Sequence, residues 1–240
     1  GGLPSDPEYG RQGGSVAISG TDITLNRIVT SGSDSLATAT IPAFGGAAGD
    51  ILIGATGTIT LRRNLLAVGG NGLAATGRDA TGGSGGTVQI FGNLTLNTGD
   101  ATRTAVIIDT RGGSAQGDGD SGQGGNVTWG RQAAGTAVVL NGTQGASNSL
   151  DLRYGSGTVS LGTSLANRGS TSPDQINLET LITAADEAGS TGTLQIHARL
   201  GNPASANSQP GLTSLVTYAR PYSIEMLGGG TVVNCVRFLN

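Results

Sequence analysis

Four short apolar triplets recur along the chain, and each follows a glycine-rich run: Val16-Ala17-Ile18, Ile51-Leu52-Ile53, Val88-Gln89-Ile90 and Val127-Thr128-Trp129. Their first residues lie 35, 37 and 39 positions apart. A near-constant period of this length is the signature of a repeat architecture, in which each unit buries its apolar face only by stacking on its neighbours. A slowly stretching period is what insertions at one corner of a repeating coil produce. A second element follows the first. Ile23-Thr24-Leu25-Asn26-Arg27-Ile28-Val29-Thr30 reappears as Ile176-Asn177-Leu178-Glu179-Thr180-Leu181-Ile182-Thr183. Further copies read Ile59-Thr60-Leu61-Arg62-Arg63-Asn64-Leu65-Leu66 and Val159-Ser160-Leu161-Gly162-Thr163-Ser164-Leu165.

Within these units apolar residues alternate with Thr, Ser, Gln or Asn, which is period two and predicts strands. The runs are rich in Val, Ile and Thr and bounded by Gly, Asn, Asp and Ser. A sandwich or barrel would also use short strands, but its strands should be longer and lack this triplet grammar. The expectation is an all-β, right-handed parallel β-helix, or solenoid, with Gly-rich corner loops. Residues 1–12 read as an N-terminal extension, 13–200 as β-helix repeats and 201–240 as a terminal coil or cap. The inward column is expected to hold Val16, Ile18, Ile23, Leu25, Ile51, Ile53, Ile59, Leu61, Val88, Ile90, Leu94, Leu96, Val159 and Leu161. The Gly-rich stretches 69–86 and 112–125 are expected to project from one corner as loops. Ser172-Pro173-Asp174-Gln175 resembles a helix start, yet the match of residues 176–183 to residues 23–30 favours a strand, a corner and a second strand.

Composition narrows the function. Of 240 residues 44 are Gly, and the 13 basic residues are all Arg, against 16 acidic ones. A net charge of −3 offers no basic field for nucleic acid or an anionic membrane. Without Lys there is no Walker-type phosphate site and no Schiff-base chemistry. The single Cys235 closes no internal disulfide and belongs to no zinc cluster. No apolar stretch reaches the ~18 residues a spanning helix needs. The chain opens on Gly1-Gly2, without Met, which predicts a processed or engineered product from which any export signal would already be gone.

Several short patterns imitate catalytic or ligand-binding motifs. Gly117-Asp118-Gly119-Asp120-Ser121-Gly122 matches G-x-G-x-x-G, but its carboxylates would repel a pyrophosphate and a strand entry follows it. Gly82-Gly83-Ser84-Gly85-Gly86 matches G-x-S-x-G without the strand before and helix after that a nucleophile elbow needs. The one histidine, His197, alternates with Leu194 and Ile196 and is expected to point outward. Asp109, Asp118, Asp120 and Asp151 are the candidates for a glycosidic carboxylate pair. A chain with one Trp, four Tyr and three Phe is poor in sugar platforms, however. Asp118 and Asp120 could hold calcium, though the tandem nonapeptide of calcium-binding β-rolls is missing. The sequons at Asn93, Asn126 and Asn141 are expected by chance in Thr-rich strands.

Gly124-Gly125-Asn126-Val127-Thr128, Gly57-Thr58-Ile59-Thr60-Leu61, Asn93-Leu94-Thr95-Leu96-Asn97-Thr98-Gly99 and Gly157-Thr158-Val159-Ser160-Leu161 together resemble the filamentous-haemagglutinin-type exoproteins of bacteria. The likeness spans residues 13–200. It implies a right-handed parallel β-helix, secreted or attached at the cell surface, and carries over no catalytic residue. The expected function is a non-enzymatic extracellular structural protein, a self-assembling filament or matrix subunit. The alternatives are a monomeric adhesin that binds surface carbohydrate or protein, and a β-helical polysaccharide-degrading enzyme. No cofactor and no metal site are expected. The expected partners are copies of the same chain, end to end, with surface carbohydrate second. The assembly interface is placed at Val232, Val233, Val236, Phe238 and Leu239, an apolar, β-prone segment with little charge.

Overall fold

A strand that alternates apolar and small polar residues has one face that must leave water, and strands this short cannot hide it alone. The chain resolves this by returning repeatedly to the same sheets. The computed structural model describes residues 9–36, 43–97, 105–131, 136–142, 149–168, 172–183, 191–201, 212–217 and 223–237. A first circuit holds β1 (Val16–Gly20), β2 (Ile23–Leu25), β3 (Ile28–Val29) and β4 (Ala43–Phe44). The second holds β5 (Ile51–Leu61), β6 (Leu65–Leu66) and β7 (Ala80–Thr81), and the third β8 (Val88–Leu96) and β9 (Ala105–Asp109). The fourth contains β10 (Val127–Gly130), β11 (Val139–Gly142) and β12 (Ser149–Arg153). The fifth contains β13 (Thr158–Leu161), a short helix α1 (Leu165–Arg168), β14 (Gln175–Asn177) and β15 (Thr180–Thr183). β16 (Thr193–Ile196), β17 (Arg199–Leu200) and β18 (Leu212–Thr217) form the sixth, and β19 (Ser223–Met226) and β20 (Val232–Arg237) the seventh.

The protein is all-β with parallel sheets. Each named strand pairs in parallel with its counterpart one circuit away, giving sheets of 11, 7 and 2 strands. Register converts the repeats into columns. Val16, Ile51, Val88, Val127, Val159, Leu194 and Ile224 form one column, and Ile18, Ile53, Ile90, Trp129, Leu161, Ile196 and Met226 the next. The separations within the first column are 35, 37, 39, 32, 35 and 30 residues, so the stretching ends at Val127. Ile23, Ile59, Leu94, Leu140, Ile176 and Leu200 make a third column.

Of the fourteen residues expected inside, eleven are buried; Val16, Ile18 and Leu25 are half-buried. All three lie in the first circuit, which has a described neighbour on one side only. Each buried aliphatic contributes about 1.5–3 kcal/mol. Ile176 shares a column with Ile23, as the repeat match requires, and residues 175–183 form two strands around a corner. Two parts of the alignment need correction. Val159 stands in the Val16 column, not the Ile23 column. Beyond the corner, Ile28 is continued by Leu65, Ile108, Leu152 and Thr183, so Thr183 and not Leu181 takes its place. A corner can absorb two residues without disturbing the ladders on either side.

Apart from short exposed turns at residues 76–79 and 117–118, the glycine-rich stretches are not projecting loops. They form two facing layers of extended chain, one built from residues 9–15, 43–50, 80–87 and 120–125, the other from 31–35, 67–72 and 110–114. Within a run the amides follow a period of three. Gly82, Gly85 and Val88 donate along the stack to the carbonyls of Asp120, Gln123 and Asn126. Gly83 and Gly86 donate across to the opposite layer, at Gly70 and Ala67, while Ser84 points to solvent. A three-residue turn with amides leaving in several directions is polyproline-II-like geometry, not a pleated ladder. Neighbouring runs of one layer lie so close that a Cβ on Gly83 would sit 2.1 Å from the Gly46 carbonyl oxygen. Glycine is required there because backbone packs on backbone.

Side chains complete the stacking at the corners, where a turning backbone leaves amides unpaired. Asp22 Oδ1 accepts the Thr58 amide at 2.8 Å, Asp50 Oδ1 that of Thr87 at 2.8 Å and Asn126 Oδ1 that of Thr158 at 2.8 Å. Asn64, Asn71, Asp79 and Asn93 do the same one circuit on. Between the fourth and fifth circuits a second device is ionic. Asp174, fully buried, accepts from Arg131 Nη2 at 2.8 Å, from the Val138 amide at 3.0 Å and from the Thr163 amide at 2.7 Å.

Candidate functional site

Four carboxylates are the sequence candidates for catalysis, and the structure separates them into two kinds. Asp109 and Asp151 lie on the second sheet, where Asp109 pairs in register with Arg153. Each is engaged by an arginine two residues on. Arg111 donates to both oxygens of Asp109, at 2.9 and 2.8 Å, and Arg153 donates twice to Asp151 Oδ2, at 3.1 and 2.8 Å. The hydrogen bond to Asp151 raises the Arg153 pKa above its ordinary value, against the opposing effects of burial and of Arg111. Asp118 and Asp120 instead lie exposed at the edge of the glycine layers. The Asp118 amide is bound by Asp79, and the Asp120 carbonyl accepts from Gly82. Among the described residues no three His, Cys, Asp or Glu side chains gather around a common point. His197 is half-buried on the face opposite Leu194 and Ile196, and its amide donates to the Leu161 carbonyl.

The sequons have structural work. Asn93 and Asn126 hold amides of later circuits, and Asn141 Oδ1 accepts from Asn177 Nδ2 at 3.0 Å.

Three of the five assembly candidates, Val232, Val233 and Val236, lie on β20. This strand is parallel to β18, with a shift of register between Leu212 and Ser214. Val232 pairs with Leu212 and Val236 with Leu215, both fully buried partners, so these valines continue inner columns. Val233 sits at the bulge, which accounts for its 55% exposure. Val236 is 43% exposed and Val232 half-buried. Phe238 and Leu239 lie outside the described residues. One further exposed apolar residue is not among the sequence candidates. Met226 on β19 continues the column of Ile196, yet it is 46% exposed where Ile196 is 1% exposed. With Leu227, also exposed, it extends the apolar end of the stack beyond β20. At the opposite end Ile18, Leu25 and Ile28 are only partly covered.

The ends of the columns therefore leave apolar side chains uncovered, and each belongs to a parallel ladder with one side unpaired among the described residues. No helix among the described residues is long and apolar enough to cross a membrane. Compared with known proteins, the chain matches no family model, no curated protein and no solved structure.

Proposed function

We propose that the chain is a right-handed parallel β-helix whose work is structural, without catalysis, and that it joins copies of itself end to end as an exported filament or matrix subunit. The observation that carries this reading is the exposure of Met226 and Val236, which continue columns that are fully closed one circuit earlier. The unpaired amides and carbonyls of a terminal strand template another strand, and stacked repeats ordinarily need a polar terminal unit to stay soluble alone. The first circuit of a second copy fits that role, because Val16 and Ile18 have the same spacing and facing as Ile224 and Met226. Such a contact is head to tail and does not close on itself, which produces filaments. Export to the cell surface rests on the resemblance to haemagglutinin-type exoproteins and on the low-charge, Arg-only composition. The polysaccharide-degrading alternative has less support, since Asp109 and Asp151 are each committed to an arginine.

Light scattering and electron microscopy on the 240-residue chain test the proposal. Mass should rise with concentration and filaments should appear, and Met226→Glu with Val236→Glu should return the protein to a folded monomer. A wild-type chain that stays a monodisperse monomer at high concentration overturns it.

A further inference from the structure

On the outer face of the large sheet, one column reads Gly54, Phe91, Gly130. The Phe91 side chain is thus followed along the stack by Gly130, which has none, and Gly162 lies beside Gly130. The result is a cleft of about 310 Å³ lined by Phe91, Thr128, Ser160, Ser164 and Asn167, with Gly130 and Gly162 as its floor. Neither glycine is replaceable by a residue that would fill it. Gly162 has φ of +90°, and a Cβ there would lie 2.6 Å from the Ala198 nitrogen. Thr128 and Ser160 stand side by side in the adjacent outward column, and α1 supplies Asn167 on the far wall.

The chemistry of this lining is specific. Phe91 offers one apolar ring, half-buried and therefore held in place. The hydroxyls of Thr128, Ser160 and Ser164 and the side-chain amide of Asn167 hydrogen-bond no other described residue. Arg131, which also lines the cleft, is 2% exposed and paired with Asp174, so among the described side chains no unpaired cation faces the cleft. An anion would find no partner charge and an apolar ligand would strand the hydroxyls. What matches an aromatic wall with three hydroxyls and an amide is a neutral, hydroxyl-rich ring, whose C–H face rests on Phe91 while its hydroxyls exchange hydrogen bonds with the floor and far wall.

We infer that this cleft is a binding site for one neutral sugar residue. The site lies on the side of the stack, away from its ends, and is independent of whether copies join.

Saturation-transfer NMR and calorimetry with methyl glycosides of glucose, galactose, mannose and N-acetylglucosamine, and with methyl glucuronide as the charged control, test it. At least one neutral glycoside should bind with a millimolar Kd, and the glucuronide more weakly. Phe91→Ala should lower the affinity about tenfold, and Thr128→Val, which keeps shape and removes one hydroxyl, about fivefold. Circular dichroism confirms that both variants remain folded, and the conservative Thr128→Val suffices if Phe91→Ala does not. No binding by any neutral glycoside, equal binding of the glucuronide, or affinity unchanged in the folded variants each overturns the inference.

Discussion

Glycine carries opposite meanings at neighbouring positions of this chain. At Gly83 the backbone of the neighbouring run in its own layer occupies the space of a side chain, whereas a Cβ on Gly14 would meet nothing within 4 Å. Gly83→Ala is therefore expected to destabilise the protein by about 3 kcal/mol or more, because backbone must move apart to admit the methyl group. Gly14→Ala should be neutral or stabilise by roughly 0.4–1 kcal/mol through the unfolded chain. Urea denaturation of the two variants checks this, and equal effects would refute the layered packing. The glycine pairs at 45–46, 69–70, 82–83 and 112–113 stand plainly in the sequence, yet they read as turns. A backbone-on-backbone layer buries no apolar side chain and so leaves no periodic apolar signal. The Arg131–Asp174 pair is hidden for another reason: its members are 43 residues apart and meet only through the stacking. Asp174→Ala would leave a buried guanidinium uncompensated and two amides without an acceptor. A loss of about 3–5 kcal/mol is expected, read as a fall in the urea midpoint.

Strands were the most legible elements, since alternation alone says which residues point inward. Ile53 is fully buried and Leu52, beside it on β5, is 41% exposed. Ile53→Asp places an unpaired carboxylate in the column and should abolish folding, whereas Leu52→Asp should fold with a melting temperature close to wild type. Circular dichroism on both separates the facing assignments; comparable damage from the two would contradict the register. What alternation does not reveal is which column a strand joins. Val159-Ser160-Leu161 and Ile23-Thr24-Leu25 have the same local grammar, and only hydrogen-bonded register distinguishes them. The sequence also suggested a helix from Ser172, whose local capping signals compete with the strand pattern. The structure instead uses Asp174 to bind Arg131 and the amides of Val138 and Thr163, which ties it to a corner and starts β14 at the next residue.

At the scale of the whole molecule, the two ends of the stack differ. One end carries the glycine layers beside β1–β3, and the other ends on β19 and β20 with Met226 and Val236 uncovered. A contact between unlike ends gives a filament with direction, and growth at one end then depends on residues the other end does not use. The Met226→Glu, Val236→Glu chain keeps an intact first circuit. It should therefore add to the exposed final circuit of a wild-type filament and then block further growth at that end. Mixed with wild-type protein at about one part in ten before assembly, the blocked chain should cut mean filament length several-fold. A variant blocked at both ends, with Ile18→Glu added, should have no effect on length at the same ratio, because it cannot enter the filament. Electron microscopy of the three mixtures reads the outcome. Shortening by the first variant and not the second supports head-to-tail stacking. Filaments of unchanged length with the first variant would place the contact on the sides of the stack, where the columns are already closed.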